Sequence, residues 1–332
     1  MNQAKRLLSA LTLCALALVG HHTTGLAQSA EYEVRSDVVY GRGLVSLSSE
    51  PTTRDLLLDA YVPVQDANDA NPAPAIIFAF GGAFHRGEKG DFQFNEDGAS
   101  DSSMADYCLA LVRRGFACFS IEYRLMPEDP APPAAMDESI LMSKRLLESP
   151  IVTGRVEFVR QKMSLPPLDD QSREQLWNAT FAAVEDMESA LNFVRENSLR
   201  FNVDPDRIAL GGFSAGAITA INLAYGRQAD VRAVVALSGT SWGYDLNKTL
   251  AEDAPPLLLF AGQWDLPGIR QGSAGIASLF KSRGAPLSQS WVPGFGHFYP
   301  MEAPSLSDQF DQASVIDRLT RFLNEEFQTR PD

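Results

Sequence analysis

The chain has 332 residues, 45% of them hydrophobic, with 42 acidic against 28 basic side chains. It is long enough to bury a large core as one big domain or two small ones, and it shows neither an internal repeat nor a long low-complexity tract. A formal net charge of -14 makes nucleic acid a poor partner, because the phosphate backbone would be repelled.

The N-terminus opens with Lys5-Arg6, runs through an apolar stretch from Leu7 to Val19 and reaches a small-residue site at Gly25-Leu26-Ala27. This is the pattern of a secretory signal peptide over residues 1–27. About 13 apolar residues are too few to cross a bilayer, and Leu13 before Cys14 fits a lipoprotein site poorly. The expected mature chain, 28–332, is periplasmic or secreted and has no membrane span. Loss of Lys5 and Arg6 leaves 26 basic residues against 42 acidic ones, a net charge of -16. Of the three cysteines, Cys14 leaves with the signal. Cys108 and Cys118 remain, and in an oxidising compartment they could pair or stay as two small buried side chains. No histidine or further cysteine clusters with them, so no metal site is expected.

Short β-like stretches come first, at Tyr32 to Val39 and Arg54 to Val62. The continuous apolar run Pro74 to Phe80 then reads as a buried strand, Met104 to Arg113 as a helix and Phe116 to Tyr123 as a strand. A long amphipathic helix is expected over about Ser172 to Glu196. After it come strand Arg207 to Gly211, helix 215–225, and strands Val231 to Leu237 and Pro256 to Ala261. Helix Ile269 to Arg283, strand Leu287 to Val292 and helix Ser307 to Phe327 close the chain. Alternating buried strands and helices predict an α/β fold with a mostly parallel central sheet flanked by helices, and an antiparallel pair at its first edge. Residues 130–170 break the rhythm, with short helices at Ile140 to Leu147 and Arg155 to Met163. Such an excursion is a covering lid or a peripheral decoration.

The pattern Gly-x-Ser-x-Gly occurs twice, at Gly212-Phe213-Ser214-Ala215-Gly216 and at Gly239-Thr240-Ser241-Trp242-Gly243. Ser214 lies between a strand and a good helix sequence, on a turn that thrusts its hydroxyl outward, whereas Ser241 is followed by a polar, proline-broken stretch. A serine hydroxyl needs a base, and that base needs an acid to orient it. Of four histidines, His21 and His22 leave with the signal and His85 precedes the serine. His297, in a loop just after a strand, is therefore the candidate base. Among the intervening carboxylates, Asp230 would lie at the wrong edge of the sheet. Asp245, Glu252 and Asp253 fall in a polar loop, while Asp265 follows a strand directly at its carboxyl end, where ligands gather. Asp265 is assigned as the orienting acid. The oxyanion of acyl transfer needs preorganised donors. The N–H of Ala215 is one, and the N–H groups of Gly82 and Ala83, in the loop after the first buried strand, are the others.

With these elements placed, the chain resembles the α/β-hydrolase superfamily, and within it the carboxylesterases related to hormone-sensitive lipase and the bacterial feruloyl-esterase-like group. The resemblance spans roughly Arg54 to Phe327. It rests on GGAF at 81–84, Glu122-Tyr123-Arg124-Leu125, DPDRIALGGFSAG at 204–216, GQWD ending at Asp265 and GFGHF around His297. It implies hydrolysis of small-molecule or polymer esters through an acyl-enzyme, with no cofactor. A peptidase of the same fold and a catalytically silent binding protein are the alternatives. The chain departs from the family at Phe80, where histidine is usual, and at Ala83, in place of a third glycine. Phe84, Trp242 and Phe298, with Tyr244 and Phe295 near them, are candidates to line an apolar pocket. Neither the ester's identity nor the oligomeric state is legible in the residues.

Overall fold

A computed structural model describes residues 31–64 and 71–328; the expected signal segment lies outside the described residues. The apolar run predicted as the first buried strand forms β3, Ala73–Ala79, in which six of seven positions are buried. Burial on both faces is what an uninterrupted apolar strand requires, and it places β3 inside the sheet. Around it lie β1 Tyr32–Val45, β2 Thr52–Pro63, β4 Ala117–Ile121, β5 Val203–Phe213, β6 Ala233–Leu237, β7 Leu257–Gly262, β8 Leu287–Val292, β9 Pro304–Ser307 and β10 Gln312–Ser314. The ten strands form one sheet in the order β1-β2-β4-β3-β5-β6-β7-β8-β9-β10. From β4 through β8 every pairing is parallel. β1 and β2 form the expected antiparallel pair at one edge, and β2 runs antiparallel to β4.

The flanking helices are α1 Met104–Val112, α2 Pro150–Lys162, α3 Asp170–Glu196, α4 Ala215–Ile221, α5 Pro267–Arg283 and α6 Val315–Gln328. α3 begins at a reciprocal cap, in which the Asp169 carboxylate accepts the Ser172 N–H at 2.8 Å and Ser172 Oγ accepts the Asp169 N–H at 2.8 Å. Cys108 on α1 and Cys118 on β4 are joined in a disulfide, the first of the two outcomes open from sequence.

Two expectations are corrected. The helix predicted from Ser307 starts only at Val315, and the residues before it form the antiparallel strands β9 and β10, which extend the sheet beyond β8. The apolar spacing of Val315, Ile316, Leu319, Phe322 and Leu323 is helical, but Pro304 to Ser314 has no such stripe and pairs with the open edge instead. In the inserted segment the second helix starts at Pro150, five residues before the predicted Arg155, since proline is suited to the first turn. No helix among the described residues is long and apolar enough to cross a membrane.

Candidate active site

The carboxyl ends of β5, β7 and β8 carry three loops to one place. β5 turns into α4 at Ser214, whose backbone sits at φ 52° and ψ -113°. That left-handed conformation costs a non-glycine residue on the order of 1–3 kcal/mol and persists only where its surroundings enforce it. Here the Ser214 N–H donates to the Leu237 carbonyl at 2.8 Å. The chain also packs too tightly for any side chain at the flanking glycines. A Cβ on Gly216 would come within 2.0 Å of the Ala79 carbonyl oxygen, and one on Gly212 within 2.4 Å of the Gly216 backbone.

His297 and Asp265 meet this serine. Ser214 Oγ lies 2.9 Å from His297 Nε2, and His297 Nδ1 lies 2.6 Å from Asp265 Oδ1. A carboxylate only accepts, so Nδ1 carries the proton and Nε2 presents its lone pair to the hydroxyl. Burial pushes the Asp265 pKa up, but the His297 ring and hydrogen bonds from His297, Ser238 and the Gly262 N–H outweigh it and hold the carboxyl below its usual value. Both oxygens are fully used. Oδ1 also accepts the Leu266 N–H at 2.8 Å, and Oδ2 accepts Ser238 Oγ–H at 2.6 Å and the Gly262 N–H at 3.1 Å. Tyr299 stands 3.0 Å behind Ser238 and completes the chain. Ser238 escaped the sequence reading although it follows β6 directly, at the same carboxyl edge that singled out Asp265.

The rejected residues lie elsewhere. Asp230, Glu252 and Asp253 are exposed, and Asp245 caps the short helical turn that follows it. Ser241 does line the same cavity as Ser214, but no hydrogen bond joins it to a histidine among the described residues.

That cavity has a volume of about 950 Å³ and takes in Ser214, Ala215, His297, Ala83, Phe84 and Trp242. The Ala215 N–H opens α4 and has no acceptor four residues back. Gly82 is not on the cavity wall. It turns the loop at φ 127°, where a Cβ would fall 1.9 Å from the Arg86 carbonyl oxygen, and the next residue, Ala83, lines the cavity with Ser214. Phe298 is also absent from the wall. It packs behind His297 and against Phe213 at centroid distances of 5.1 and 5.7 Å, because the ring turns into the core beneath the histidine loop. Tyr244 is part of the core, and Phe295, half-buried, packs against it. The inserted segment lines the cavity, contributing among others Met142, Leu146, Ile151, Val156 and Phe158. It is pinned by Arg155, whose guanidinium pairs with Glu96, a carboxylate that also binds Arg86 at 2.7 Å.

Phe80, where a histidine was expected, stacks on Tyr123 with centroids 4.5 Å apart, and its carbonyl accepts the Tyr123 hydroxyl at 2.9 Å. The histidine of this region is instead His85, with 1% of its surface exposed. Its Nδ1 lies 2.7 Å from the Ala83 carbonyl. Burial pulls its pKa down to about 4, with Arg160 and Arg86 adding to the effect and the Ala83 hydrogen bond opposing it. An unfolded histidine titrates near 6.5, so the unfolded chain binds the extra proton first as pH falls. The contribution is absent above about pH 6.5, and destabilisation grows to about 3 kcal/mol by about pH 4. Asp101, raised to about 7 mainly by burial, acts in the opposite sense, since its folded form takes up the proton first. The difference between wild type and His85→Asn isolates the histidine. The wild type's urea midpoint is expected to fall relative to the variant's between pH 7 and pH 4.5, and parallel profiles would contradict the assignment.

The BD-FAE family model matches residues 173–241, from α3 through the serine elbow. No curated protein matches the chain. Among solved structures, a truncated carbohydrate esterase from gut microbiota is similar with a TM-score of 0.55 at 18% identity, covering 91% of this chain and 98% of that one. An α/β-hydrolase enzyme from a Medee basin deep-sea metagenome library gives 0.53 at 13% identity, covering 90% and 99%. A propionate-bound esterase from the planctomycete Thermogutta terrifontis gives 0.52 at 16% identity, covering 92% and 98%.

Proposed function

With the α/β-hydrolase fold of the chain as the premise, we propose that it is a serine carboxylic ester hydrolase working through an acyl-enzyme. The observation that carries this reading is the run of contacts from Ser214 Oγ through His297 to Asp265, at 2.9 and 2.6 Å, opening into a cavity of about 950 Å³. His297 Nε2 takes the serine proton as Oγ attacks the acyl carbon, and Asp265 steadies the imidazolium that forms. The Ala215 N–H, with that of Ala83, receives the negative oxygen. Collapse expels the alcohol, protonated by His297, and a water activated by the same ring releases the acid.

The cavity walls favour an ester with a bulky apolar group. Met142, Leu146, Val156, Phe158, Ile218 and Trp242 are too large and apolar a surface to be matched by an acetyl group alone. The similar carbohydrate esterase and Thermogutta esterase support an ester as the substrate class. Export to the periplasm or beyond is part of the proposal, supported by the N-terminal pattern and by a Cys108–Cys118 disulfide suited to an oxidising compartment.

A fluorophosphonate probe followed by peptide mapping tests the chemistry, and a panel of p-nitrophenyl and aromatic esters of rising size tests the pocket. Modification at Ser214 and a kcat/KM that rises from acetyl to larger acyl groups are expected. A protein inert to the probe would be the silent binding relative instead.

A further inference from the structure

The loop that carries Ala83 is held in an unfavourable shape by groups outside it. Ala83 and Phe84, neither a glycine, sit at φ 57° and 60°, a conformation that alanine and phenylalanine leave when released. Four hydrogen bonds restrain the loop. Tyr123 holds the Phe80 carbonyl at 2.9 Å, and the His85 N–H holds that of Gly82 at 3.1 Å. The Met126 N–H holds that of Phe84 at 2.7 Å, and His85 Nδ1 holds that of Ala83 at 2.7 Å. A carbonyl oxygen only accepts, so Nδ1 bears the hydrogen and Nε2 of the neutral ring is a bare acceptor. Arg160 Nη1 lies 3.3 Å from that Nε2.

Arg160 belongs to α2, in the inserted segment, and is 4% exposed. No carboxylate lies within ion-pair distance of it among the described residues, an uncommon situation for a buried guanidinium. Its donors go to the Pro166 carbonyl at 2.8 Å, to Met126 Sδ at 3.5 Å and to His85. One side chain of the inserted segment therefore touches both residues, His85 and Met126, that fix the carbonyls of Ala83 and Phe84.

We propose that Arg160 and His85 form a positioning relay by which the inserted segment keeps the Ala83 N–H aimed at the oxyanion. The relay rests on the ester-hydrolase reading above and concerns positioning residues, since neither side chain touches the substrate. Releasing the Ala83 carbonyl lets the residue leave φ 57° and turns its N–H away from Ser214. The transition state loses a donor while the apolar walls, and with them ground-state binding, stay as they were.

Steady-state kinetics on a p-nitrophenyl ester, with active serine titrated by a fluorophosphonate, test it. His85→Phe keeps a ring but no donor, and is expected to lower kcat about 10- to 100-fold, less than outright loss of an oxyanion donor, with KM within about 2-fold. His85→Asn places an amide N–H near the Nδ1 position and is expected to restore kcat to within about 5-fold of wild type. Arg160→Met, which leaves His85 in place, is expected to lower kcat several-fold by the same split. Unchanged kcat in both His85→Phe and Arg160→Met overturns the relay, as does a loss that His85→Asn fails to rescue. If His85→Phe does not fold, Arg160→Met and His85→Asn decide by the same criteria. Wild type inert to every ester and to the probe would sink the hydrolase reading itself, whereas active wild type with indifferent variants sinks only the relay.

Discussion

Ser214→Ala is expected to lower kcat for a short p-nitrophenyl ester by about 10⁵-fold or more, leaving only what the oxyanion donors and binding supply. The size follows from the role proposed for the hydroxyl: without Oγ no acyl-enzyme could form, and His297 would have no proton to take. Stability should not suffer. Alanine occupies the same turn, and among the described residues Oγ has no hydrogen-bond partner other than His297. Thermal melting alongside steady-state kinetics checks both halves. Ser241→Ala is the informative control, because Ser241 carries the second copy of the pattern and shares the cavity. It should retain activity within a few fold. Activity surviving in Ser214→Ala and lost in Ser241→Ala would move the nucleophile to the other copy.

Asp265→Asn should cost about 10⁴ in kcat, the scale expected when the acid that fixes the histidine tautomer becomes an amide. In this site the substitution also carries a structural penalty. Each Asp265 oxygen accepts a backbone N–H, from Leu266 on one side and Gly262 on the other. An amide NH₂ therefore faces a donor whichever way it is turned, and the buried clash costs about 1–3 kcal/mol. Both a loss of kcat and a lower urea midpoint are expected. An Asp265→Asn protein that keeps a tenth of wild-type kcat would remove Asp265 from the mechanism. Ser238→Ala, which withdraws only a hydroxyl that can be turned away, should lose much less than either.

Much of this site was legible in residue order. Chain order and the strand-then-loop setting picked Ser214, Asp265 and His297, since an apolar strand followed by a polar loop marks the carboxyl edge of a parallel sheet wherever it occurs. The serine elbow was readable for the same local reason, because strand, glycines and helix adjoin in sequence. Phe298 was misplaced because an aromatic residue beside a site residue reads the same whether its ring faces the cavity or the core, and only packing against Phe213 decides. The β9–β10 hairpin was missed because its strands gain their structure from the free edge of β8 rather than from any pattern of their own.

Sequence by itself determined the fold class and the succession of buried strands along the chain, and singled out Ser214, Asp265 and His297 as candidates, all of which follow from local periodicity, short-range turns and chain order. Tertiary structure decided between disulfide and free thiols at Cys108 and Cys118, and brought the inserted segment to the cavity wall. It also set His85 and Arg160, 75 residues apart in the chain, against the Ala83 loop. Those outcomes depend on distances between segments remote in the chain, where hydrogen bonding and burial are settled only once the sheet has assembled and the inserted segment has packed against it.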